Sequence, residues 1–430
     1  MIIVDTALAR RADAGNPVRV AMVGAGYMAR CIALQIVAAT TGMELVAISN
    51  RTVSKAVDCY AGAGVTDVTH ASTQAAFDQA VAAGRPAVTD DPSLLWTNPQ
   101  IEAVIEVTGD PEFGTNVSYH SLVNGKHVVL LNAEVDASVG PILRAYADSS
   151  DVVITYTDGD EPGVAMNLFR FVQSMGCEPV LVGQLKGFLN RYRNPETQAE
   201  FAAKYDVNAA IVASFADGSK LNLEAAIMGN ATGFVPQVRG MHGHAVPDVK
   251  DLIGKFSLED FASEGLVEYA LGAAPHTGAF VMCRSDAPLR TQLMSYLKMG
   301  EGPLHMFVTP YHLPPMQLPH SVARAVLFND ATITAKGAPV CDTVAYAKTD
   351  LKAGQRLDGM GGFTCYGLVD RYETCRSADY LPMAVSLDCT LVRDIPIDTP
   401  ITYADVTLPP DRIVDRLRSE QTARFAAVTS

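Results

Sequence analysis

The chain has 430 residues, room for about three domains at roughly 150 residues each, and its 48% hydrophobic and 19% charged residues are a globular mix rather than a disordered one. Thirty-three Lys and Arg face 47 Asp and Glu, a formal charge of −14, which argues against a general nucleic-acid binder because affinity for a phosphate backbone comes from cations. No apolar run reaches membrane-spanning length, the first 20 residues lack the apolar core and cleavage site of a signal peptide, and the eight Cys form no C-x-x-C pair, so a reduced cytoplasmic protein without structural zinc is expected.

In chain order, residues 1–16 read as a helical arm. The apolar run 18–23 reads as a buried strand and is followed by a helix to about Ala39. Further strands are expected at 44–49, 87–89, 102–107, 127–131 and 152–156, with helices at 54–63, at 73–83 and after Asp91-Pro92-Ser93. Strands alternating with helices mean right-handed crossovers and a parallel sheet covered on both faces. The expected class is therefore α/β, a Rossmann doubly wound sheet over residues 1–160. Beyond it the pattern predicts strands at 180–184, 210–215 and 220–226, with Asp217-Gly218 as a hairpin turn between the last two. Residues 161–335 are then expected to form an α+β substrate domain, and 336–430 a small, mostly β module.

Gly24-Ala25-Gly26-Tyr27-Met28-Ala29 fits G-x-G-x-x-G/A directly between a strand and a helix. Gly24 permits the tight turn, Gly26 lets a pyrophosphate approach, and the helix start at Tyr27 and Met28 offers N–H donors. The second strand ends in Ser49-Asn50-Arg51-Thr52, without the acidic residue that holds the ribose hydroxyls in NAD enzymes. Arg51 with Ser49 suits a 2′-phosphate, so NADPH is the expected cofactor. Thr108-Gly109 and Asn132-Ala133-Glu134 close two more strands at their carboxyl ends and are expected along the nicotinamide half.

Asp158-Gly159-Asp160-Glu161-Pro162-Gly163 gathers three carboxylates at the junction of the first two domains. Asp160 and Glu161 are candidates for proton transfer or for a divalent cation, and an acidic helix start is the plain structural alternative. Lys186, after the first strand of the second domain, is the candidate electrophile or acid. Asn190, Arg191 and Arg193 on the same loop are candidates to hold an anionic substrate. Asn230 and Thr232 lie in the turn Asn230-Ala231-Thr232-Gly233. His242 in Gly240-Met241-His242-Gly243-His244 is a candidate acid/base, and Tyr311 and His312 occupy a Pro-rigidified turn.

Taken together these segments resemble the homoserine dehydrogenase-like oxidoreductases. More closely they resemble the second type of 1-deoxy-D-xylulose 5-phosphate reductoisomerase. The carrying segments are Ala14-Gly15-Asn16-Pro17-Val18-Arg19, Val23-Gly24-Ala25-Gly26, Ala87-Val88-Thr89-Asp90-Asp91, Asn124-Gly125-Lys126-His127, Asp160-Glu161-Pro162, Asn230-Ala231-Thr232-Gly233, Gly240-Met241-His242-Gly243 and Pro310-Tyr311-His312-Leu313. The tail, from Val344 through Leu351-Lys352-Ala353-Gly354 to Ile401-Thr402, resembles an SAF module. The resemblance implies an NADPH-linked enzyme of isoprenoid biosynthesis, homo-oligomeric through its 161–335 substrate domain as related two-domain dehydrogenases are, acting on a small, phosphorylated, sugar-like substrate. It implies that Lys186 and Asn190 steady an oxyanion while His242, Asp160 or Glu161 shuttles protons. Plain dehydrogenation of a polyol, sugar acid or hydroxy acid and a non-catalytic NADP sensor are the alternatives. Homoserine is a poor fit, because Asn132-Ala133 stands where homoserine dehydrogenases carry Asn-Lys.

Overall fold

The computed structural model describes residues 3–426, so the first two residues of the expected arm and the last four of the expected tail module lie outside the described residues. Contacts gather the chain into two compact units. One unit comprises residues 3–159, Leu313–Thr334 and Arg412–Arg424; the other comprises Asp160–His312 and Ala335–Asp411.

Among the described residues of the first unit, a seven-stranded parallel sheet runs in the order β3-β4-β2-β1-β5-β6-β7. The strands are β1 Val18–Val23, β2 Met43–Ser49, β3 Thr69–His70, β4 Ala87–Thr89, β5 Ala103–Glu106, β6 His127–Leu130 and β7 Ile154–Tyr156. Apart from the short edge strand β3, their largely apolar sequences suit burial on both faces, the condition that helical crossovers impose on a parallel sheet. Val18, Val20 and Met22 enter one apolar cluster, with Ile32 and Ile36 of the helix Tyr27–Ala39, while Ala21 and Val23 enter another with Phe77 and Leu95. The chain reverses from β3-β4-β2-β1 to β5-β6-β7 beside β1, which puts a topological switch point at the β1 carboxyl end, where open α/β sheets bind ligands.

The second unit is built on a five-stranded mixed sheet, β12-β11-β8-β10-β9. Its strands are β8 Glu178–Lys186, β9 His244–Ala245, β10 Leu266–Leu271, β11 Ala279–Arg284 and β12 Leu304–Thr309. The two faces carry different company. Leu181 and Leu185 of β8 and Leu266 and Ala270 of β10 enter an apolar cluster with Val249, Leu252 and Phe261. The alternate β8 positions turn the other way, where the Gln184 side chain donates to the Leu221 carbonyl of the helix Ser219–Thr232 at 3.0 Å. Later residues add an antiparallel pair, β13 Cys341–Ala347 and β14 Cys365–Arg371.

Two expected strands are helices. Residues 210–215 and 220–226 lie in the helices Ala209–Asp217 and Ser219–Thr232. Gly218 between them, at φ +86°, is a left-handed helix cap and not a hairpin turn. The second helix is buried along nearly its whole length, from Leu221 to Asn230, so it shows no polar stripe by which a helical period could be read.

Candidate functional site

At the nucleotide edge of the first unit, Gly24 stands at φ +119°, and a Cβ there would lie 2.9 Å from the Val107 carbonyl oxygen. Only glycine fits both the conformation and the close approach. Its N–H donates to the Ser49 carbonyl at 2.9 Å, tying the β1 turn to the end of β2. Gly26 is exposed, a Cβ there would meet open space, and the helix Tyr27–Ala39 that it precedes has no side-chain cap. The first-turn N–H groups are therefore left for an anion. Tyr27 is exposed, with Arg30 over its ring, and Met28 is half-buried. Ser49 is buried and Arg51 exposed at the end of β2, and the guanidinium makes no hydrogen bond or ion pair among the described residues. These residues fit a dinucleotide.

Further along this edge, Thr108 donates through its N–H and its hydroxyl to Glu106 Oε1. Gly109 is exposed at φ +68°. Asn132 caps the helix Ala133–Ser149 by accepting from the Val135 N–H at 3.3 Å and donates to the Asp110 carbonyl at 3.3 Å; Glu134 sits buried in that helix's first turn. Burial pushes the Glu106 carboxyl up to about 7, against the lowering by its Thr108 hydrogen bonds.

The chemistry-bearing cluster lies in the second unit. Asp160 and Glu161 open the helix Glu161–Ser174, both buried. The helix Ser219–Thr232 presents Lys220 and Glu224 one turn apart. Lys220 Nζ donates to Asp160 Oδ2 at 3.0 Å and forms an ion pair with Glu224 Oε1 at 2.7 Å. His312, beyond β12, places Nδ1 2.7 Å from the Thr277 hydroxyl and 3.5 Å from Glu161 Oε1. Three carboxyl groups thus share one ammonium, and buried charge without a partner neutralises by taking up a proton. Burial, with the Glu224 and Asp160 charges, holds the Glu161 carboxyl well above the usual range. Burial also raises Glu224, against the pull of Lys220. Burial works against the Lys220 charge, but the carboxylates around it prevail and raise its pKa. Burial lowers His312, favouring neutral imidazole. Lys186 ends β8 half-buried, its charge felt by Glu224 and His312, and its own ammonium has no hydrogen bond or ion pair among the described residues.

Lys186, Asp160, Glu161 and His312 therefore converge, joined by Lys220 and Glu224, which the strand reading of 220–226 hid. A Lys-x-x-x-Glu spacing was the available signal. The other expected residues make contacts outside this cluster. The Asn230 carboxamide oxygen accepts from the Val340 and Cys341 N–H groups at 2.8 and 2.9 Å, which anchors the start of β13. Thr232 donates back to the Met228 carbonyl at 2.7 Å and accepts from the Phe234 N–H at 3.2 Å, closing its helix. The Asn190 side-chain oxygen accepts from the Tyr192 N–H at 3.1 Å in a local turn. Arg191 lies over the Tyr366 ring and Arg193 over that of Phe188. Tyr311 is exposed. His242 joins Glu268 at 3.2 Å, and Glu268 keeps step with Leu266 and Ala270, on the sheet face opposite Gln184 and Lys186.

Residues 159–318 match the family model described as the catalytic domain of oxidoreductase DRL, so an oxidoreductase catalytic domain spans the whole of the Lys186–Lys220–His312 cluster. No curated protein sequence matches the chain. Among solved structures, the chain is similar to an apo scyllo-inositol dehydrogenase from Lactobacillus casei (11% identity, 73% of this chain and 89% of that one, TM-score 0.43). It is also similar to a myo-inositol dehydrogenase from Lactobacillus casei in complex with NAD(H) and myo-inositol (13% identity, 69% and 75%, TM-score 0.35). Scores and identities this low say nothing of chemistry. No helix among the described residues is long and apolar enough to cross a membrane.

Proposed function

We propose that the chain is an NADP-linked oxidoreductase of a small, polyhydroxylated, sugar-like molecule, with proton transfer run by the cluster around Lys186. The carrying observation is the surplus of buried carboxyl groups over ammonium at Asp160, Glu161, Glu224 and Lys220, beside an unengaged Lys186. Gly24, Gly26 and the first turn of the helix Tyr27–Ala39 would hold the dinucleotide, with Arg51 on its 2′-phosphate; the nicotinamide, when bound, supplies or takes the hydride. Lys186 donates to a carbonyl or alkoxide oxygen, where a positive charge stabilises what develops in the transition state. Glu161 stores the proton, and neutral His312, hydrogen-bonded to Thr277, can pass it on. The half-buried Lys220 fixes the carboxyl groups in place.

The resemblance favours rearrangement of the carbon skeleton before reduction, as in the second-type reductoisomerases, and the SAF-like tail then serves as a support for the catalytic unit. Plain dehydrogenation of a polyol uses the same groups. The two separate by product analysis, since only the first alters carbon connectivity. The test follows reduced-cofactor absorbance over a substrate set that includes 1-deoxy-D-xylulose 5-phosphate and inositols. We expect turnover with NADPH that falls at least about a hundredfold in Lys186→Ala, and an Arg51→Ala variant that loses NADP(H) affinity while keeping NAD(H) affinity. Turnover untouched by Lys186→Ala removes the catalytic assignment, and equal losses with both cofactors remove the 2′-phosphate role.

A further inference from the structure

On the other face of the mixed sheet, His242, His244 and Glu268 bring ligand atoms within 4.8 Å of one another. We propose that these three residues bind a divalent transition-metal ion of the zinc class, separate from the Lys186 cluster. Two imidazoles and one carboxylate are the donor set such borderline ions prefer over magnesium or calcium.

The carboxylate is built in. Glu268 is 2% exposed, and its oxygens accept from three backbone N–H groups: His242 at 2.9 Å, Gly243 at 2.9 Å and Tyr269 at 2.8 Å. No Lys or Arg pairs with it among the described residues; its one charged-group neighbour is His242 Nδ1 at 3.2 Å. Those three N–H groups fix the carboxylate as outer-shell partners fix a ligand, and leave one lone pair, the one that the His242 ring now uses, for an ion.

A plain glutamate–histidine hydrogen bond would need one imidazole. Here a second ring, His244, stacks on His242 with centroids 5.2 Å apart and planes 7° apart, and Phe256 meets it edge-on at 5.4 Å. His244 comes from β9 and Glu268 from the adjoining β10, so both stand on paired strands. The positive φ of Met241 and of Gly243 (66° and 63°) bends the segment on either side of His242. Tetrahedral ligands at bond lengths of about 2.0–2.1 Å sit about 3.3 Å apart, so the site must tighten. The His242 side chain, 32% exposed, has the freedom to do so. That exposure also leaves a fourth position for water.

The full chain, stripped with a chelator and dialysed, is titrated with Co²⁺ and followed by visible absorption, then challenged with Zn²⁺. One equivalent of a strong, low-symmetry Co²⁺ band that Zn²⁺ displaces is expected. His244→Ala and Glu268→Gln should each weaken binding at least about tenfold; His242→Ala, an exposed position that folding tolerates, should do the same. His312→Ala should leave the band unchanged. The proposal is overturned by a parent protein that shows no such band, by a band that survives His244→Ala and His242→Ala, or by one lost in His312→Ala, which would assign the ion to Asp160, Glu161 and His312 instead.

Discussion

Two ion-paired lysines in the same unit, Lys348 buried and Lys220 half-buried, make opposite use of their charge. Lys348, just beyond β13, is 2% exposed and saturates its three N–H groups on Asp217 at 2.8 Å, the Arg193 carbonyl at 2.8 Å and the Gly362 carbonyl at 2.7 Å. One cation meets one carboxylate and nothing is left over. Lys220, three residues after Asp217, meets Asp160 and Glu224 with Glu161 close behind, and the carboxyl groups outnumber it. A balanced pair can only hold structure, because every proton has a fixed owner. An unbalanced group keeps a proton that can leave, and on the proposed function that distinction makes the Lys220 cluster the one suited to proton transfer and Lys348 an anchor.

The largest expected effect breaks the comparison if it is wrong. Lys220→Met should cut kcat/KM by about 10²–10⁴-fold, the usual worth of positioned acid–base groups. Its carboxyl groups can neutralise by protonation, so folding should suffer less than turnover. Lys348→Met should do the reverse. It strands Asp217 and two backbone carbonyls, a loss of about 3–5 kcal/mol for breaking a buried pair, while turnover per folded molecule changes by less than about tenfold. Kinetics and denaturant unfolding on both variants decide the matter. Equal damage to turnover from the two substitutions would erase the distinction.

The sequence exposed the first half of this picture better than the second. The Gly24–Ala29 turn, the missing acid after β2 and the alternating strands mark a nucleotide-binding sheet because each has a local cause: a glycine conformation, a charge, a period. Asp160, Glu161, Lys186 and His312 were also visible as residue types on loops and strand ends. Lys220 and Glu224 were not, because the helix that carries them is buried along nearly its whole length and its apolar run mimics a strand pair around Gly218. Nor could composition show that Asn230 and Thr232 spend their hydrogen bonds on the backbone, or that His242 lies across the sheet from Lys186. Those facts depend on which segments meet, and spacing along the chain does not encode them.

Glu106 at the end of β5 supplies the third case, a carboxyl group with no cation at all. It is fully buried, its Oε1 accepts from Thr108, and its Oε2 has no hydrogen-bond partner. Burial brings its pKa from the ordinary 4.5 to about 7. Between those values the folded protein keeps the proton and the unfolded chain has lost it, so the contribution of Glu106 to stability is complete below about pH 4.5 and is lost as pH rises to about 7. At 1.36 kcal/mol per unit the full loss is about 3 kcal/mol. Glu106→Gln, which keeps an acceptor for Thr108 and cannot ionise, should lack this fall. Denaturant unfolding at pH 5 and pH 8 should therefore show the variant gaining about 2–3 kcal/mol on the parent. A gap that stays constant with pH would mean that Glu106 ionises normally, and that burial without a cation does not suffice to hold a proton in this fold.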